Sequence, residues 1–286
     1  MGVTLGLALG LVGIFLLARL FVHFIVPFFV FFPEPLKPQE SHPKFWGFSD
    51  AGEVWIPSDD GPLLHGWWFP ARSEQSSAGT IVFFHGNSGH LGDCGTVAAS
   101  FANLGLDVLL PDYRGFGLSE GKASEEGLYT DARSIYRWLV DVRAINPHQL
   151  IVVGHSLGSA VAADLAVYSP MAAVVMLGAF THTPAIARHR FSYLPAWYLE
   201  WDLTRFDSLV RVPRINVPIL FVVGSEDRVI PPEEAHKLFK VAPPPKQWLS
   251  ITGAGHNDIF DHEELWKELH RFIYTVFNRK TFEELR

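Results

Sequence analysis

Residues 151–160 read IVVGHSLGSA. Three apolar β-branched residues, Ile151, Val152 and Val153, run straight into Gly154-His155-Ser156-Leu157-Gly158, and small residues suited to a helix follow. A strand that passes at once through G-x-S-x-G into a helix must turn tightly. The apex residue then sits in strained backbone, where side chains on its neighbours would collide. Gly154 and Gly158 remove those collisions. The turn holds the Ser156 hydroxyl above the end of the strand. It also aims the Leu157 N–H, at the positive end of the new helix, into the same space. A plain glycine-rich turn has the same letters. The apolar run before it and AVAADLAVY after it favour the catalytic reading.

Working outward, the same strand design recurs. TIVFFHG (80–86), LDVLLPDYRG (106–115), AAVVMLGAF (172–180) and PILFVVGSED (218–227) are continuous apolar runs of strand length. Such runs mark strands buried on both faces of a parallel sheet. EVWIPSDDGPLLHGWWFP reads as two strands around a turn at Asp59-Asp60-Gly61. Stretches of helical period lie at 127–144, 157–168, 232–240 and 261–278. The alternation predicts an α/β fold with a mostly parallel central sheet flanked by helices and right-handed crossovers. Residues 181–216 break the rhythm with Phe191, Tyr193, Trp197, Tyr198, Trp201 and Phe206 and no clear strand. They read as a small helical cap insertion over the carboxyl edge of the sheet.

Composition narrows the function. The chain has 286 residues and a formal charge of -7, so no basic stripe is available to neutralise phosphates, and nucleic acid is not an expected partner. One cysteine, Cys94, excludes an internal disulfide and reads as a small apolar residue. Residues 1–32 are different in kind. No charge occurs before Arg19, and LFVHFIVPFFVFFP follows it. A spanning helix needs roughly 20 mostly apolar residues, which residues 3–22 supply. The start lacks the basic residues and the tract lacks the cleavage site of a signal peptide. The tract therefore predicts an uncleaved, single-pass N-terminal transmembrane anchor. Arg19, Lys37 and Lys44 follow the apolar run and place the catalytic domain in the cytoplasm. The proline-rich stretch 33–46 reads as a short stiff linker, and 47–280 as the catalytic domain.

A serine hydroxyl needs a base, and the base needs an acid to orient it. Asp227 falls just past the buried strand that PILFVVGSED opens with. His256 falls in the glycine-rich loop of LSITGAGHNDIF after another short strand. The order Ser156, Asp227, His256 places all three at strand carboxyl ends, where open α/β sheets carry their sites. Glu226 and Asp258 compete with Asp227, and Asp258 suits a helix cap. FFHGNSGH (83–90) supplies a second strand end beside Ser156. There the Asn87 N–H is the candidate second oxyanion donor, with Ser88 as runner-up. Gly86 permits close approach, and His85 bonds backbone to support the loop. DYRGFGLSEG (112–121) reads as a rigid loop beneath the site, although Arg114 is also placed to meet a substrate anion. The remaining histidines form no ligand cluster, so no metal and no cofactor is expected.

Taken together, HGN at 85–87, DYRGFG at 112–117, GHSLG at 154–158, the GSED turn with Asp227 and GAGH at 253–256 resemble the α/β-hydrolase fold superfamily over residues 50–280. The nearest likeness is to its membrane-anchored α/β-hydrolase domain-containing serine hydrolases. The resemblance implies Ser156 as nucleophile, His256 as base and Asp227 as orienter. It also implies Asn87 and Leu157 as the oxyanion hole, supported by His85, Gly86, Gly154 and Gly158. It further implies cleavage of carboxylic esters or thioesters, from lipid-like or acyl-protein substrates, through an acyl-enzyme. A serine aminopeptidase of the same fold, using Glu200 or Asp202 to hold an amine, is the alternative. A non-catalytic membrane scaffold is a third reading, opposed by the presence of every catalytic residue type.

Overall fold

The computed structural model describes residues 30–73, 77–190 and 205–283, together with four helical positions, Gly10, Gly13, Phe15 and Leu17, in the N-terminal tract. In chain order the strands are β1 (Phe32–Pro33), β2 (Gly52–Pro57), β3 (Leu63–Phe69), β4 (Thr80–Phe84), β5 (Ser88–Gly89), β6 (Asp107–Pro111), β7 (Leu150–His155), β8 (Ala173–Leu177), β9 (Ile219–Gly224) and β10 (Lys246–Ile251). The helices are α1 (Gly95–Asn103), α2 (Glu125–Arg137), α3 (Leu157–Tyr168), α4 (Thr183–Arg190), α5 (Ser208–Arg211), α6 (Pro232–Val241) and α7 (Glu263–Glu283).

Eight strands form one sheet in the order β10-β9-β8-β7-β4-β6-β3-β2. β2 and β3 pair antiparallel, as do β3 and β6, and the rest of the sheet is parallel. The predicted turn at Asp59-Asp60-Gly61 connects β2 to β3. Side-chain alternation sorts the apolar runs into two layers. Val82, Phe84, Val152, Val174, Met176 and Phe221 pack on the face that carries α2, α3 and α6. Ile81, Phe83, Ile151, Val153, Val175, Leu177 and Val222 pack on the other, with Phe101 of α1 and Leu265, Leu269 and Phe272 of α7. Both faces are dry, which is why these strands carry no alternating polar positions.

Helix α1 is an element that sequence reading did not register. GTVAASFAN buries six of its residues, so it lacks the polar face that gives a helix its period. The stretch 33–46, expected as a linker, lies along the domain. Leu36 is buried, the Trp67 indole donates to Ser41 O at 2.6 Å, and two 3₁₀ turns (Pro38–Glu40 and Pro43–Trp46) shape it. Burial pushes the Cys94 thiol up to about 12, consistent with a packing role. Most of the tract expected to anchor the chain, and residues 191–204 of the expected cap, lie outside the described residues. Among the described residues no helix is long and apolar enough to cross a membrane. The described ends of the cap are clamped together: Thr183 N donates to Arg205 O at 2.8 Å, and Ser208 and Leu209 N–H donate to Thr181 O.

The loop 112–117 is held from beneath by charge. The Arg114 guanidinium donates to Asp131 of α2 at 2.7 Å and to both oxygens of Asp60 at 2.7 Å, and Asp131 is fully buried. Arg114 is thereby committed to the scaffold. Asp131→Ala would strip a buried cation of its buried partner. It should lower unfolding stability by about 3 kcal/mol, read by urea denaturation, whereas Lys122→Ala, at an exposed position beyond this loop, should leave it unchanged.

Candidate active site

The turn between β7 and α3 is built by close approach. A Cβ on Gly154 would lie 2.1 Å from Gly158 O, and one on Gly158 would lie 2.0 Å from Phe84 O, both fixed backbone atoms. The first turn of α3 thus rests directly on the carboxyl ends of β7 and β4. Ser156, at the apex, takes φ 55° and ψ −119°, a conformation rare for a residue with a side chain. It persists because the surroundings hold it: Ser156 N donates to Leu177 O at 2.9 Å, and Ser159 N and Oγ both bond Ser156 O. Leu157 opens α3, so its N–H belongs to the unpaired set at a helix start.

The loops after β9 and β10 come together on the same edge. Ser225 N donates to Ile251 O and Glu226 N to Ala254 O, each at 2.9 Å. Gly224 allows this, since a Cβ there would meet Gly255 O at 2.3 Å. His256 Nδ1 lies 2.6 Å from Asp227 Oδ2. The other Asp227 oxygen accepts the N–H groups of Val229 (2.9 Å) and Ile230 (2.8 Å). Burial acts to raise the Asp227 pKa. The hydrogen bond and charge of His256, with the two N–H groups, outweigh burial and hold the carboxyl below its ordinary range. Of the competing acids, Asp258 accepts the Gly255 N–H at 2.7 Å and holds the loop, and Glu226 is exposed.

Two residues unnoticed in the sequence complete this corner. Gly178, past the end of β8 with φ 54°, faces the pair: a Cβ there would come within 3.0 Å of His256 Cε1 and 3.7 Å of Asp227 Oδ2. Its chain neighbour Leu177 holds Ser156 N, so β8 spans between the serine turn and the His256–Asp227 pair. His155, inside the G-x-S-x-G run, bonds His256 O through Nε2 at 3.0 Å. Their rings lie 4.8 Å apart. Burial, then the neighbouring His256, lowers the His155 pKa to about 3, so it is a neutral imidazole that donates to the carbonyl. A lone glycine after a strand, and a ring bonded to backbone 101 residues away, leave no periodic trace in sequence.

The loop after β4 borders Ser156 from the other side. Gly86 adjoins it closely, though a Cβ at Gly86 would lie 3.7 Å from Ser156 Cβ, an ordinary contact. Glycine is therefore not required there by the fold. His85 Nδ1 bonds Gly86 O at 2.8 Å, and Tyr113 OH donates to His85 O at 2.9 Å. His85 Nε2 faces Asp112 Oδ1 at 3.2 Å, off the axis of a hydrogen bond. Asn87 follows, its side-chain amide donating to Val30 O at 2.8 Å. Glu200 and Asp202, the amine-holding candidates, lie outside the described residues, and no group of three or more His, Cys, Asp or Glu suited to a metal occurs among the described residues.

These contacts separate fold from function. Gly158→Ala should cost about 3 kcal/mol or more through backbone collision, whereas Gly86→Ala should unfold at the wild-type temperature in calorimetry. His155 stays neutral in the folded chain from its ordinary value of 6.5 down to about 3. The unfolded chain binds one more proton across that window, so this group's stability is complete above pH 6.5 and lost as pH falls towards 3. The loss runs at about 1.4 kcal/mol per pH unit. Urea titrations of His155→Gln across the window should show that slope removed.

Comparison with known proteins agrees with this architecture. Residues 79–208 match the family model described as the alpha/beta hydrolase fold. An uncharacterised protein of Mycobacterium tuberculosis is 34% identical over 223 residues, covering 77% of this chain and 78% of that protein. The mouse alpha/beta hydrolase domain-containing protein 17C is 30% identical over 203 residues, covering 71% of this chain and 62% of the relative. Among solved structures, the Pyrococcus furiosus esterase Pf2001 superposes with a TM-score of 0.67 at 22% identity, over 88% of this chain and 98% of the other. Acetyl xylan esterase 1 of a Thermoanaerobacterium species does so with a TM-score of 0.62 at 18% identity, over 79% and 84%. At those identities the two structures speak for the fold. The shared fold, the relatives and the matched family model together show that this chain belongs to the α/β-hydrolase superfamily.

Proposed function

We propose that this protein is a serine hydrolase that cleaves carboxylic esters or thioesters through an acyl-enzyme. The reading rests on one observation: a strained Ser156 at the mouth of a helix, on the same sheet edge as a His256–Asp227 pair bonded at 2.6 Å. Asp227 holds His256 in the tautomer that carries its proton on Nδ1, which leaves Nε2 as the base. His256 Nε2 takes the hydroxyl proton as Ser156 Oγ attacks the acyl carbonyl. The Leu157 and Asn87 N–H groups stabilise the oxyanion, each contributing roughly 3–4 kcal/mol if well placed. The tetrahedral intermediate collapses, and His256 returns the proton to the departing alcohol or thiol. Water, deprotonated by His256, then attacks the acyl-serine and releases the acid.

The ester preference draws on the esterases among the structural neighbours, and the lipid-like or acyl-protein substrate on the apolar N-terminal tract. We read residues 1–32 as a membrane anchor and the domain as cytoplasmic, on the hydropathy and charge pattern alone.

Full-length protein in detergent should hydrolyse p-nitrophenyl esters and label with a fluorophosphonate probe. Ser156→Ala should abolish labelling and lower kcat by on the order of 10³-fold or more. Asp227→Asn, with the imidazole no longer held in its productive tautomer, should lower kcat by on the order of 10³–10⁴-fold while KM changes little. Turnover that survives Ser156→Ala would sink the covalent mechanism. Turnover of aminoacyl p-nitroanilides in preference to esters would move the enzyme to the peptidases.

A further inference from the structure

The N-terminal tract does not merely precede the domain; its last residues are fastened to the loop that follows β4. Asn87 Nδ2 donates to Val30 O at 2.8 Å, Phe32 N donates to Asn87 O at 2.8 Å, and Glu34 N donates to Gly89 O at 3.0 Å. β1 and β5 pair in parallel, Phe32 with Ser88 and Pro33 with Gly89. The strap continues to the loop after β6, where Gly117 N donates to Glu34 O at 3.1 Å and Leu36 N to Gly117 O at 3.3 Å. Its anchor is Phe31, buried and edge-on to Phe206 at 6.1 Å. Phe206 is itself fully buried at φ 42°, packs on Tyr129 at 5.6 Å, and has its N–H taken by Glu125 at 2.7 Å.

The peptide geometry shows what this achieves. Gly86 O and Asn87 N belong to one planar peptide unit. His85 holds the oxygen side of that plane through its bond to Gly86 O. The strap holds the following peptide, through Asn87 O, and the Asn87 side chain as well. With its carbonyl and its amide side chain both committed, Asn87 keeps its N–H for the oxyanion role proposed above, one peptide on from the Gly86 that adjoins Ser156. An N–H donor stabilises an oxyanion only when it is aimed in advance, and a displacement of about 1 Å is costly.

We infer that the strap Val30–Glu34 is a positioning element of the oxyanion hole, acting through the Asn87 side chain and anchored by Phe31. The end of the apolar N-terminal tract is then part of the active-site apparatus. The inference rests on the serine-hydrolase reading above. It makes the Asn87 side chain and Phe31 positioning groups, neither touching substrate through its side chain.

The test is a double-mutant cycle on the full-length chain in detergent, with p-nitrophenyl butyrate as substrate. Asn87→Ala keeps the backbone donor and loses its tie to Val30; Phe31→Ala loses the anchor. Each should lower kcat on the order of tenfold with KM within about twofold, and fluorophosphonate labelling should slow in step. The double variant should be no slower than the slower single one, because both break the same linkage. Amide hydrogen exchange at Asn87–Gly89 should quicken in Phe31→Ala, and in Phe31→Leu should the alanine variant fail to unfold cooperatively. Wild-type kcat in Asn87→Ala, multiplicative losses in the double variant, or unchanged exchange would overturn the inference while Ser156 still labels. A wild-type protein that neither labels nor turns over would overturn the hydrolase reading, and this inference with it.

Discussion

The contact between the first turn of α3 and the carboxyl ends of β4 and β7 is the constraint on which the rest depends. Carbonyl oxygens approach two α-carbons so closely that only hydrogen fits there. With Gly154 and Gly158 in place, the chain reverses within five residues, and the reversal leaves Ser156 no ordinary backbone well. The cost, of order 1–3 kcal/mol for such a conformation, is met by the ladder around it: Leu177 and Ser159 bind its two backbone polar groups. The same geometry that strains the serine presents its hydroxyl and orients the unpaired N–H of the helix. The nucleophile and the anion site of the proposed mechanism both draw on this one packing event.

The other half of the site is electrostatic and travels through neighbouring strands. β8 ends on Leu177, which faces the serine turn, and Gly178 just after it faces His256, so strand pairing sets their separation. Asp227 remains an anion although burial opposes it, because three donors converge on its two oxygens. His155 remains neutral, and its ring is spent on the His256 carbonyl rather than on charge. In the proposed mechanism, a cation formed on His256 meets the Asp227 counter-charge and no competing charge from this neighbour.

The strands were legible because burial on both faces removes polar residues from them, and GHSLG was legible because collision selects glycine at two fixed spacings. Ser156, Asp227 and His256 were marked out by strand ends, by the glycines around them and by their order along the chain. Helix α1 was missed because a helix buried nearly all round has no polar stripe. Residues 33–46 looked solvated because prolines and charges dominate the count, while two positions, Leu36 and Ser41, tie them down, one through a buried contact and the other through its carbonyl, which accepts the Trp67 indole N–H. The β1–β5 ladder was invisible because main-chain hydrogen bonds between two residues and two residues carry no side-chain signature. Gly178 and His155 act through backbone proximity across long sequence distances, which no local pattern records.

The clamp at the base of the cap has a wider meaning. Thr181 and Thr183 leave β8 and are met at once by Arg205, Ser208 and Leu209. Glu234 of α6 fastens Thr181 and Glu125 of α2 fastens Arg205 and Phe206. The two ends of the excursion are thus pinned to the body before the intervening chain begins. Because closing a longer loop adds only about 0.6 kcal/mol per doubling, the stretch between those ends is free to change in length and composition while the sheet beneath stays intact. The stem works as a socket: what is plugged into it can be exchanged while the sheet edge that carries Ser156, Asp227 and His256 keeps its geometry.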